Sequence, residues 1–471
     1  MKLYEELADH VAALIASGAL RPGERLPSVR QLAHERRVSI ATAMHAYDLL
    51  AARGVIETRP RSGFYVRTQE QRATHQPGTR TTARTTRVDV SELVFEILDA
   101  VRNRDVVPFG SAFPSPTLFP WRKLARHLGA AARHMDPWST VESLPLGSRE
   151  LRRQIARRYL RFGARVLADE IVVTNGAMEA LNLALQVVTR PGDAVAIESP
   201  SFYACLQAVE ARGLRAVEIP TDPREGVSLG ALENAIRTRG VRACWFMTTF
   251  QNPLGATMPD EKKRDLVRLL TAHGVPLIED DVYAELYFGE QRPQSAKTFD
   301  AEGLVLHCGS FSKSLAPGYR IGWVAAGRFA RDVQRRKIMT SLSTSIPVQD
   351  GIAELLHRGG YDAHLARLRR ALAAQQRALL TALGRHWRGA YRVTRPDGGY
   401  FVWLELPRGV DSLELHRRAL ERGISIAPGP IFSPRREYAN CVRLNCGHPW
   451  TQELERAVRV LAELAASEKH E

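Results

Sequence analysis

The chain has 471 residues, 44% of them hydrophobic and 25% charged, which suits a folded globular protein too long for one ordinary core. No apolar run approaches the roughly 18 residues of a membrane span, and the opening Met-Lys-Leu-Tyr-Glu-Glu lacks the plan of a signal peptide. The five scattered cysteines (Cys205, Cys244, Cys308, Cys441, Cys446) form no Cys-x-x-Cys pair, which disfavours a disulfide framework or a zinc site; no metal and a reducing cytoplasm are expected. The formal charge is +15, and residues 1–88 hold 14 Lys and Arg against 8 Asp and Glu, so positive charge is about three times denser there than beyond. A basic N-terminal module suits a polyanion partner, although an Arg-rich composition alone gives the same excess.

Leu3, Leu7, Val11, Leu14 and Ile15 recur at helical spacing, predicting a first helix that Gly18 and then Pro22-Gly23 close. Ser28-Val29-Arg30-Gln31 has the Ser-x-x-Gln pattern of a capping box opening a second helix, with Leu32 and Ala33 facing inward. Ser39 is placed to cap a third helix to about Arg53, with Ala43, Ala46, Tyr47 and Leu50 as its buried stripe and Gly54 as its stop. Two short β runs, Val55 to Thr58 and Gly63 to Val66, flank the basic turn Arg59-Pro60-Arg61-Ser62. Helix-turn-helix followed by a basic hairpin describes a winged helix-turn-helix over residues 1–67.

Leu26-Pro27-Ser28-Val29-Arg30-Gln31-Leu32-Ala33, Val38-Ser39 and Leu49-Leu50-Ala51-Ala52-Arg53-Gly54-Val55-Ile56 carry a resemblance to the GntR family of bacterial repressors. It implies binding to a double-stranded DNA operator through Arg30, the start of the third helix and the wing. The family commonly has arginines and threonines where this chain has Ser39-Ile40-Ala41-Thr42-Ala43-Met44-His45. Base readout is therefore expected from Ser39, Thr42 and His45 with apolar contacts to thymine methyls, and backbone contact from Arg30, Arg59, Arg61, Ser62 and Gly63. Arg36 and Arg37 read as a solvated helix end.

Residues 68–90 are rich in Thr, Gln and Arg with almost no apolar side chain, and a flexible linker is expected there. The large domain, 91–471, opens on a helix marked by Leu93, Val94, Ile97, Leu98 and Val101. Strand, Asn175-Gly176 turn and helix start follow one another from Ile171 to Leu181, and free amides at such a helix start bind phosphate. Alternating strands and helices continue to about Gly327, giving an α/β fold with a mainly parallel sheet. The strands at Tyr400 to Leu406 and Cys441 to Asn445 belong to a small C-terminal α+β subdomain.

Three strand ends carry chemistry: Asn252-Pro253 after the run Ala243 to Met247, Asp280-Asp281-Val282-Tyr283 after Leu277-Ile278, and Ser310-Phe311-Ser312-Lys313 followed by Arg320. Ligands of parallel sheets collect at such ends. Ser310, Ser312 and Arg320 can hold a phosphate dianion, and a lysine beside it is placed to join a phosphorylated aldehyde.

In this order the three motifs resemble the fold-type I, class I aminotransferases, from about Pro108 to the C-terminus. The resemblance implies pyridoxal 5'-phosphate (PLP) on Lys313, with Asp280 at the pyridine nitrogen and Asn252 and Tyr283 as donors to the ring oxygen. Ser310, Ser312, Arg320 and the amides of Gly176, Ala177 and Met178 would bind the phosphate. Phe202, with Tyr203 as runner-up, would stack on the ring, and Arg443 would clamp a substrate carboxylate. Winged helix, linker and PLP fold in this order resemble the MocR group of the GntR family. The expected function is a PLP-dependent transcription regulator that senses an amine, an amino acid or PLP itself, working as a homodimer. The alternative is a catalytically active aminotransferase with an accessory DNA-binding domain.

Overall fold

The computed structural model describes residues 3–16, 20, 23–52, 55–59, 63–66, 85–99 and 105–467. The chain divides into two compact units, Met1–Thr74 with Leu380–Trp387, and His75–Leu379 with Arg388–Glu471.

In the first unit, helices Leu3–Ala16, Val29–Arg36 and Ile40–Ala52 precede an antiparallel hairpin, Ile56–Arg59 with Gly63–Val66. The stripe expected on the third helix forms its core contact: Ala43, Ala46, Tyr47 and Leu50 are fully buried, against Leu7, Val11 and Leu32. Leu3, expected on the inner face of the first helix, is 57% exposed, because the packed stripe begins a turn later at Leu7. The capping box is half-formed. Ser28 Oγ accepts the Gln31 N–H at 3.2 Å, but the Gln31 side chain turns forward to Glu35 instead of back to Ser28. Arg37, left-handed at φ 52°, ends this helix.

The second unit is built on a nine-stranded sheet. Arg215–Asp222, Ala194–Ser199, Val241–Phe246, Leu277–Asp280 and Val305–Ser310 run parallel in that spatial order, and Gly322–Ala325 is antiparallel between Val305–Ser310 and Ile171–Thr174. Side chains of Ala194–Ser199 alternate as a two-sided strand requires. Val195 and Ile197 pack with Leu181 and Val209, while Ala194 and Ala196 pack with Leu232 and Leu266. The predicted α/β class with a mainly parallel sheet is what forms. The small subdomain is likewise α+β, with Phe401–Glu405 and Cys441–Asn445 antiparallel at the centre of four strands.

Of the stretch expected to be a linker, residues 85–90 are part of the second unit's fold, and residues 68–84 lie outside the described residues. Thr85–Arg87 is an edge strand on Arg215–Asp222, Val88 and Val90 are buried, and Glu210 Oε2 accepts the Val90 N–H at 3.0 Å. Three strand residues without clear alternation gave no signal in the sequence. No described helix is long and apolar enough to cross a membrane.

Candidate cofactor site and DNA-binding module

The carboxyl ends of the parallel strands converge on a cleft lined among others by Phe202, Asp280, Tyr283, Ser312, Lys313 and Arg320. Its phosphate end is assembled by local geometry. Ser312 Oγ accepts from Ser310 Oγ at 3.0 Å and from Arg320 Nη1 at 3.1 Å, and Arg320 reaches Asn175 O with Nη2 at 3.4 Å. Helix Ala177–Val188 starts at Gly176 with no side-chain cap, so its first amides stay free for an anion. Gly176 is required there. Its φ is +82°, and a Cβ would sit 2.2 Å from Arg320 Nη2.

Lys313 is held by its loop. Ser314 beside it bonds the Tyr361 hydroxyl at 2.7 Å and accepts at its carbonyl from His364 Nε2 at 2.9 Å. The ammonium end donates to Ala112 O at 2.8 Å and lies 3.7 Å from the centroid of Phe113. Burial, with Arg443 and Arg320 nearby, brings the amine down to about 7 against the opposing pull of Asp280. Asp280 moves the other way, up to about 7, because burial and the adjacent Asp281 outweigh the Val282 N–H, Lys313 and His307. Its Oδ1 is buried without a partner.

Behind the cleft, Arg443 is fully buried. Nη1 donates to Asn252 Oδ1 at 3.2 Å, Nη2 to Gly110 O at 2.6 Å, and the guanidinium lies 4.3 Å over Phe401. Among the described residues its partners are carbonyl and amide oxygens and the Tyr203 hydroxyl rather than a carboxylate, and Nε and Asn252 Nδ2 have none. Burial holds its pKa below the ordinary arginine value. The predicted residues thus fall into one neighbourhood. Asn252 is tied to Arg443, and Tyr283 packs edge-on to Tyr400 and Phe401. Phe202 and Tyr203 both line the cleft, 4.6 Å apart.

Sequence reading missed two features. Tyr400 donates to the same Ala112 carbonyl as Lys313, at 3.1 Å. Asp281, next to Asp280, accepts from Arg292 at 2.8 Å and pairs with His307 Nε2 at 2.9 Å, while His307 Nδ1 meets Tyr159 Oη at 2.6 Å and Trp323 donates to that oxygen at 2.9 Å. Since the indole can only donate, the phenol proton goes to Nδ1 and the Nε2 proton to Asp281, which uses every proton of the chain. Burial raises Asp281, but Arg292 and His307 outweigh it and leave its pKa below the ordinary value. The acid pair was visible in the sequence; its His, Tyr and Arg partners were hidden in a strand, a helix and a loop.

In the small unit, Arg30, Ser39 and His45 are exposed and Thr42 is half-buried. Ser39 Oγ accepts the Thr42 N–H at 3.1 Å and lies 2.8 Å from Thr42 Oγ1. The backbone of Arg59 pairs with Gly63 next to the turn of the wing; Arg61, Ser62 and the side chain of Arg59 lie outside the described residues.

Residues 130–461 match the model for aminotransferase class I and II, and residues 3–66 that for bacterial regulatory proteins of the gntR family. The chain is 47% identical over 464 residues to the HTH-type transcriptional regulator YdcR of Escherichia coli (strain K12), covering 98% of this chain and 99% of that one. The solved multiple substrate aminotransferase of Thermococcus profundus matches at TM-score 0.75 and 29% identity, over 81% of this chain and 96% of its own. LysN, the alpha-aminoadipate aminotransferase of Thermus thermophilus complexed with N-(5'-phosphopyridoxyl)-L-leucine, matches at TM-score 0.73 and 31% identity, over 81% and 96%. The free carboxylate oxygen of Asp280, the uncapped helix start and the Ser–Arg pair fit PLP, the cofactor of this fold. The chain belongs to the class I and II aminotransferase family and joins to that PLP fold a gntR-family helix-turn-helix domain, the arrangement of the MocR-type transcription regulators.

Proposed function

We propose that an amino acid bound at the PLP site sets the affinity of the winged helix for a double-stranded DNA operator. Arg443 carries this reading. A fully buried guanidinium with no carboxylate partner among the described residues is costly unless a ligand supplies one. Its planar fork suits an α-carboxylate.

PLP, when bound, supplies an aldehyde for amines and a pyridinium that withdraws electrons. Lys313 would hold it covalently and Asp280 Oδ1 would accept the proton on its ring nitrogen. Asn252 Nδ2 and the Tyr283 hydroxyl would donate to its ring oxygen, and Phe202 would cover one face. Ser310, Ser312, Arg320 and the amides of Ala177 and Met178 would orient its phosphate; the Gly176 amide, also expected there, already donates to Thr174 O at 2.8 Å. An amino acid entering the site would present its carboxylate to Arg443, which the small subdomain contributes from strand Cys441–Asn445. That placement lets ligand binding bias the subdomain's position. Exposed Trp138 and Met339, at 71% and 73%, give a second copy of the chain apolar surface to cover, in keeping with a homodimer.

The test is fluorescence anisotropy of the protein on DNA from its own upstream region, at fixed salt. It would be run with PLP and a panel of amino acids, beside Lys313→Ala and Arg443→Lys. Operator affinity should shift with one class of amino acid, and both variants should lose the shift while keeping DNA binding. Affinity indifferent to PLP and to every amino acid would sink the reading.

A second reading, an aminotransferase that turns over, is favoured by one observation: a lysine amine at about 7 is suited to moving protons at neutral pH. Steady keto-acid formation from an amino donor, absent in Lys313→Ala, would establish it.

A further inference from the structure

The third helix of the small unit presents an unusual face for a DNA reader. Ser39 and Thr42, its hydroxyl residues, are closed on each other and on the helix cap. Ile40 is 57% exposed and Met44 44%, and the spacing of four residues puts them one turn apart on the same face. Ala41 and His45 are exposed beside them, while Ala43, Ala46, Tyr47 and Leu50 on the opposite face are in the core. Packing therefore fixes the rotation of the helix and leaves this strip outward. The charged groups lie elsewhere in the unit: Arg25, Arg30, Arg36 and Arg37 are exposed on preceding segments. Asp48, the next residue along the strip, is an exposed carboxylate that disfavours phosphate, so groove contact concentrates on the first turns.

An isoleucine and a methionine facing polar base edges leave those edges unpaired. Among the groups that base pairs show in the major groove, the thymine 5-methyl is the apolar one. Building on the DNA-binding reading, we propose that Ile40 and Met44 determine specificity by packing on thymine methyl groups, so that each operator half-site holds thymines where this helix enters. The exposed arginines supply sequence-independent attraction to phosphates, and the apolar pair supplies the discrimination.

The experiment uses the full chain with PLP, selecting from a random duplex pool at fixed salt, in parallel with Ile40→Ala and Met44→Ala. In the enriched sequence each thymine is then replaced singly by deoxyuridine, which removes the methyl and keeps every hydrogen-bonding group. At one or more positions per half-site the replacement should weaken wild-type binding by about fourfold, the factor from burying one methyl-sized group. At those positions one alanine variant should bind thymine and deoxyuridine alike, while its affinity for nonspecific DNA and its salt dependence stay those of the wild type. Deoxyuridine tolerated at every position, or variants as sensitive to it as the wild type, overturns the proposal and leaves DNA binding standing. A pool that enriches no sequence overturns the DNA-binding reading itself.

Discussion

Lys313 and Asp280 reach nearly the same pKa from opposite sides, one lowered and one raised to about 7, and burial is the first cause of both. The consequence for Lys313 is kinetic. A free lysine is almost wholly ammonium at neutral pH, whereas this amine is half neutral there and can attack an aldehyde. Rapid-mixing uptake of PLP by the cofactor-free protein should therefore rise with pH up to about 7 and level off above it. A rate still climbing towards pH 10 would place the amine in an ordinary environment. The same depression has a sign for stability. The unfolded chain binds the lysine proton more tightly, so this group's contribution improves as pH rises from about 7, while that of Asp280 declines as pH rises towards about 7. Gly176 acts by shape alone. In Gly176→Ala the new methyl would displace the Arg320 guanidinium, and the φ of +82° strains any L side chain. Losing one charged phosphate contact, worth about 1.5–3 kcal/mol, should weaken PLP binding roughly 10- to 100-fold in an equilibrium titration. Nonspecific DNA affinity should not change.

Elements decide which of these residues meet. Strand ends Asp280 and Ser310 lie on neighbouring parallel strands, so motifs thirty residues apart in sequence converge without help from loops. The adjacent Asp281 instead joins Arg292 and the His307–Tyr159–Trp323 chain. His307→Leu would leave Tyr159 without its acceptor and Asp281 with Arg292 alone, costing about 2–3 kcal/mol and several degrees of thermal midpoint. A variant with an unchanged midpoint would show that the chain is not a structural support. The difference between what the sequence disclosed and what it hid has a physical basis here. Lys313, Asp280, Asn252 and Arg320 sit in contiguous motifs, where residue type and spacing already imply the chemistry. Tyr159 and His307 are 148 positions apart, and neither carries a local pattern. The Ala112 carbonyl that holds Lys313 is backbone, so no residue type could mark it. Thr85–Arg87 was read as linker because an edge strand needs only its partner, Arg215–Asp222, which lies far along the chain. The three helices of the small unit were legible because each carries its own inward-facing apolar residues at helical spacing.

On the proposed function the whole molecule has two kinds of ligand, and thermodynamics ties them whatever path the coupling takes. If an amino acid tightens operator binding tenfold, about 1.4 kcal/mol, a saturating operator must tighten amino-acid binding tenfold, because both routes around the cycle share their end states. The cofactor's absorbance gives the amino-acid titration and anisotropy gives the DNA titration, so both factors can be measured on one protein. Ile40→Ala should weaken operator binding yet leave amino-acid affinity without DNA untouched, since it lies in the other unit. Arg443→Lys should do the reverse, because an ammonium cannot form the two parallel bonds that a carboxylate takes from a guanidinium. Equal factors in the two titrations establish regulation by binding. Unequal factors would mean that the amino acid is consumed during the measurement, since reciprocity holds for equilibria and not for turnover. That inequality would identify the chain as a working aminotransferase whose DNA affinity follows the balance of its bound forms.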